Sequence, residues 1–132
     1  MNLSKLLLIH GIITFVAGIV LIVSPGLIPA AVGVHMDPGA YIICYLLAAS
    51  ELSLAVLSFY GRGLTDVKAL HVIVLACLVL HISSAILEVY AYAKGLSAGI
   101  WWNVLLRIII TILFVYYGFY KTPGKNITAK ER

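Results

Sequence analysis

The chain has 132 residues, 63% of them hydrophobic and 11% charged, with a formal net charge of +4. A soluble domain carries about 45–50% apolar and about 25% charged residues, and a fold this small has too little interior to hide the excess, so a water-soluble globule is excluded. The basic residues form no patch interleaved with aromatics but fall between apolar runs, so nucleic acid is not an expected partner and the lipid bilayer is.

Four apolar runs follow one another at 6–23, 40–60, 69–92 and 99–120. At about 1.5 Å per residue each is long enough as a helix to cross a hydrocarbon core of about 30 Å. The runs are continuous rather than alternating, which excludes a β-barrel. The first begins after Lys5 and exceeds the core of a cleavable signal, about 7–15 residues, so it is read as helix one. The expected fold is all-α: an integral membrane four-helix bundle, up-down-up-down, over residues 1–121, followed by a polar cytoplasmic tail at 122–132. The 61–68 and 93–98 connections are short and make consecutive helices antiparallel neighbours. The 24–39 connection, SPGLIPAAVGVHMDPG, is longer and apolar, and its prolines and glycines break any continuous helix. It is expected to lie along the outer membrane surface or to fold over the bundle as a lid, the surface placement being preferred. Cys44 and Cys77 sit inside apolar runs with no CxxC spacing, as buried free thiols do.

Charge sets the expected orientation. Lys5, Arg62, Lys68, Lys121, Lys125, Lys130 and Arg132 flank one end of the runs, and only Lys94 flanks the other. Cytoplasmic loops carry the excess of Lys and Arg, so both termini are expected inside, in a multi-pass protein of the cell membrane. Tyr and Trp residues near the boundaries suit the headgroup zone. Asn126-Ile127-Thr128 matches a glycosylation acceptor but faces the cytoplasm in this orientation.

Glu51, His81, Glu88 and Arg107 lie inside the predicted spans. Counted from the outer ends of their helices, they fall at depths of about 6–17 Å, so all four are expected to meet in the outer half of the membrane. His81 and Glu88 are seven apart and share a helix face; Asn103, Arg107 and Thr111 recur every fourth residue; Glu51 shares a face with Leu54, Ala55 and Ser58. A charge at a membrane centre costs about 2.5–3.5 kcal/mol on insertion scales. Arg107 keeps its proton and needs an anionic partner, which Glu51 or Glu88 can supply. The expected site is a cavity for a ligand or proton built from Glu51, His81, Glu88, Arg107 and Asn103. It is expected to open outward beneath the 24–39 connection, with His81 deepest. A metal held by Glu51, His81 and Glu88 is chemically possible but is not expected. His10 and His71 lie toward the inner ends of helices one and three and are candidate axial ligands for a haem; no cofactor is otherwise indicated. Gly11 and Gly18 lie seven apart on one face of helix one, where small residues permit close helix approach.

The layout resembles the DoxX-like families of small four-helix membrane proteins of bacteria and archaea. The likeness rests on HGIITFVAGIVLIVSPG in helix one, a charged residue midway in helix two, LVLHISSAILE in helix three and a fourth helix ending YYGFYK. It covers most of the chain and implies a four-helix membrane fold. Some members of those families are linked to quinone-dependent redox complexes, and no functional residue is carried over. Small multidrug resistance transporters are less similar, since their essential glutamate lies in the first helix, where this chain has no acid.

These features predict a small polytopic membrane protein that binds or moves a small molecule, ion or proton. The alternatives are a membrane enzyme or redox subunit acting on a lipophilic substrate such as a quinone, and an accessory subunit whose charges are purely structural. A homo-oligomer or a larger membrane complex is compatible with each.

Overall fold

A computed structural model of the chain describes residues 2–97 and 99–121. The 122–132 tail, with the Asn126 acceptor and three of the basic residues used for orientation, lies outside the described residues. The described residues are helical and contain no strand, and four of the helices are long and apolar enough to cross a membrane.

Helix α1 spans Leu3–Val23. It starts earlier than its apolar run because the Asn2 side chain caps it, accepting from the Lys5 amide at 2.9 Å. Pro25 prevents its continuation. A short helix α2 follows at Leu27–Ala31. It closes at Gly33, whose φ of 78° is open to glycine; the amides of Gly33 and Val34 return to the carbonyls of Ala30 and Pro29. A 3₁₀ turn at Pro38–Ala40 leads into α3, Tyr41–Gly61.

Asp66 caps α4, Val67–Ala93, by accepting from the Lys68 amide at 2.9 Å. This helix has 27 residues, about 40 Å of axis. It ends as α2 does: Gly95 has φ 71°, and the Gly95 and Leu96 amides return to the carbonyls of Tyr92 and Ala91. Helix α5, Trp101–Val115, continues into a π-helical turn at Tyr116–Tyr120, where the Lys121 amide reaches back to the Tyr116 carbonyl at 3.0 Å.

The long helices form two tight antiparallel pairs. α1 packs along α3, and α4 along α5. Glycines make both approaches close. A Cβ at Gly18 would lie 2.8 Å from Leu52 Cγ, and one at Gly118, in the π turn, would lie 2.7 Å from Val74 Cγ1. The Gly11 and Gly18 face of α1 therefore packs against α3 within the chain. Contacts between the two pairs are fewer. Those contacts include an apolar cluster of Leu3, Leu6, Leu7, Leu70, Val74, Cys77, Leu78 and Phe114, toward the end of the bundle that holds Asn2, Arg62 and Lys121. A second cluster, Leu21, Cys44 and Ala48 with Ile28 and Met36, lies at the opposite end.

The α1–α3 connection is not a detached surface strip. Ile28 and Met36 pack into the second cluster. The Val32 carbonyl accepts from the Gly99 amide at 3.2 Å and from Ser97 Oγ at 2.5 Å. The connection thus folds across the end of the bundle and ties both helix pairs together, which departs from the preferred surface placement. Its backbone ends need partners, and the α4–α5 loop supplies them.

Candidate functional site

The polar stripe of α5 faces α4. Asn103 Nδ2 donates to Glu88 Oε1 at 2.6 Å, and Arg107 Nε donates to the same oxygen at 2.8 Å. The Arg107 and Glu88 side chains are 18% and 21% exposed. Antiparallel packing of α4 on α5 accounts for the meeting, since Tyr92, one turn beyond Glu88, also meets Trp101 at 5.0 Å. Glu88 Oε2 is buried and has no partner among the described residues. Glu51, half-buried on α3, lies within Coulombic reach of Arg107, but makes no hydrogen bond or ion pair among the described residues.

His81 stands apart from this group. It is seven residues from Glu88 along α4, about 10 Å, and its partner comes from α1: His81 Nε2 lies 3.0 Å from His10 Nε2. His10 Nδ1 is in turn 2.8 Å from Ser58 Oγ on α3. The three side chains are buried, and the Cys77 thiol lies against the Ser58 hydroxyl. The Phe114 ring packs edge-on to His10 at 5.1 Å and nearly parallel to His81 at 6.4 Å. Thr14, one turn along α1 from His10, spends its hydroxyl on the His10 carbonyl at 3.0 Å. His81 Nδ1 is buried without a partner among the described residues.

The expected single meeting of four groups therefore resolves into two. Glu88, Asn103 and Arg107 form one, with Glu51 at its edge, while His81 joins His10 and Ser58. The reason is which neighbour each position meets: Glu88 meets Asn103 and Arg107 of α5, while His81, two turns along α4, meets His10 of α1. Depth counted along the apolar runs does not say which helix a side chain meets. Sequence reasoning missed the role of His10 and Ser58. A signal was available, since Ser58 shares the Glu51 face and His10 adjoins Gly11, where α1 comes closest to Ser58.

The proposed haem pair is not assembled. His71 lies ten residues from His81, about 15 Å along α4, with its ring 5.0 Å from Phe119. Both ring nitrogens of His10 are engaged by Ser58 and His81, so His10 cannot share an axial axis with His71 in this arrangement. Nor do Glu51, His81 and Glu88 gather as a ligand set: among the described residues no three His, Cys, Asp or Glu side chains are close enough to hold a metal.

A shallow, open cavity of about 540 Å³ lies at the connection end, lined by Gly33, Tyr92, Ala93, Gly95, Leu96 and Ser97. None of the described residues that line it is charged, so it is not the site of the buried charges. It does share Tyr92 with the α4 face that carries Glu88. Toward the other end, the apolar cluster around Leu7, Val74 and Phe114 closes the interior below His10 and His81.

No known protein family, curated protein or solved structure matches the chain. The layout resemblance to DoxX-like proteins gains nothing from these comparisons, and the site has to be read from its own chemistry.

Proposed function

We propose that the chain is a multi-pass membrane protein with both termini on the cytoplasmic side, and that its interior takes up and moves protons. The orientation is supported by Lys5, Arg62, Lys68 and Lys121 near one end of the bundle against Lys94 near the other. The observation that carries the proton reading is the charge balance at Glu88. Two carboxylates, Glu51 and Glu88, stand near one guanidinium. Arg107 uses only its Nε on Glu88 Oε1, and Glu88 Oε2 is buried and unpartnered.

One positive charge is missing from this group. A buried carboxylate without a partner is costly, and a proton on Glu88 or Glu51 removes that cost with the least rearrangement. The proton enters from the connection end, where the shallow cavity lies one turn of α4 beyond Glu88. Asn103 and Arg107 fix Oε1 and leave Oε2 to take and give the proton, as a proton-transfer group requires.

The test is proton flux into proteoliposomes carrying a trapped pH dye, driven by a potassium diffusion potential. Wild-type protein is expected to conduct above empty vesicles, and Glu88→Gln to lower the rate at least tenfold. Equal rates for the wild type and Glu88→Gln would overturn the reading.

A further inference from the structure

The bond between His10 and His81 joins the two helix pairs at the centre of the bundle. Two ring nitrogens 3.0 Å apart require that one ring donate and the other accept. The bond to Ser58 extends the chain on one side. On the other it ends at His81 Nδ1, which is buried and unpartnered among the described residues, in a residue only 5% exposed. That nitrogen belongs to the helix face that carries Glu88.

We propose that His10 and His81 form a second proton site, in series with Glu88, that holds one excess proton as a shared imidazole–imidazolium pair. It rests on the proton-moving reading of the Glu88 group. The second imidazole stays neutral, because two adjacent cations at this distance repel strongly in a low-dielectric interior. The other titratable or charged groups near the pair are Cys77 of α4, whose thiol lies against Ser58, and Arg107 of α5; Glu88 lies two turns further along α4. Arg107 is within Coulombic reach of His81 and favours placing the shared positive charge on His10.

The transfer balances without any redox partner. The starting tautomer has His81 Nε2–H donating to His10 Nε2, and His10 Nδ1–H donating to Ser58 Oγ. A proton leaving Glu88 forms a new N–H bond at His81 Nδ1. The His81 Nε2–H bond then breaks as a bond to His10 Nε2 forms, and the positive charge moves to His10. The proton that His10 Nδ1 already donates to Ser58 Oγ is the one the cationic ring can then release. The axial separation of Glu88 and His81 is about 10 Å, a gap that a chain of about three hydrogen-bonded waters at about 2.8 Å spacing would span.

The test uses the full chain in lipid bilayers with ¹⁵N-labelled histidine. Solid-state NMR is expected to show one N–H proton correlated with the Nε2 nitrogens of both His10 and His81, with a single protonation event for the pair. Both signatures should vanish in His10→Gln and in His81→Gln, whose amides retain a hydrogen-bonding group but do not titrate. Each variant should also lose at least tenfold in liposome flux. Two independent histidine titrations with no shared proton in the wild type would overturn the proposal, whether or not the variants fold. If Glu88→Gln abolishes flux while both glutamine variants conduct like the wild type, the Glu88 reading stands and the second site falls. Undiminished flux in Glu88→Gln removes the series arrangement and the proposal with it.

Discussion

Arg107 and Glu88 meet through a single pair of atoms, and that geometry sets how each responds to substitution. Removing the guanidinium strands a mostly buried carboxylate, a loss of about 3–5 kcal/mol for pairs of this kind. Arg107→Leu is therefore expected to destabilise the protein by that order in detergent denaturation. Arg107→Leu combined with Glu88→Gln should recover much of the stability, because the stranded Glu88 carboxylate is gone and only the half-buried Glu51 is left. The grouping of Asn103 and Arg107 is legible in the sequence, since residues four apart on a helix share a face and an intramembrane arginine needs an acid. The pairing of His10 with His81 is not legible. It depends on which helices become neighbours across the bundle, and only packing decides that: His10 of α1 reaches His81 of α4, 71 positions away in the chain.

At the scale of the elements, the four long helices are legible because apolar runs of this length have few alternatives. The exact starts of α1 and α4 are set by the side chains of Asn2 and Asp66, each accepting one backbone amide, a signal carried by one residue rather than by a pattern. The five-residue helix α2 and the π turn are too short for periodicity to reveal. The π turn matters to packing, because it brings Gly118 against Val74, a buried and β-branched neighbour with little freedom to move. Gly118→Ala is expected to cost about 1–3 kcal/mol through overpacking, read as a lowered melting temperature in detergent. Adding Val74→Ala to it should return part of the loss by making room for the new methyl. If Gly118→Ala melts like the wild type, the close approach of α4 and the π turn does not hold.

For the whole molecule, orientation is open to direct measurement. Cys44 and Cys77 are buried and are replaced by alanine before new cysteines are introduced. A cysteine at Arg62 should react with an impermeant maleimide only after the membrane is opened, and one at Lys94 should react in intact cells. Labelling of position 62 from outside would reverse the assignment.

The unequal packing of the four long helices bears on how the chain can be divided. The α3–α4 loop is exposed from Arg62 to Asp66, and a break there leaves each tight pair whole, with His10 and Ser58 on one fragment and His81 on the other. Residues 1–63 and 64–132, made as separate polypeptides in the same cell, are expected to insert independently and co-purify through a tag on either one. The seam between them then becomes an intermolecular interface whose affinity can be measured. Substituting His81 should weaken that affinity, turning a buried hydrogen bond into a dissociation constant.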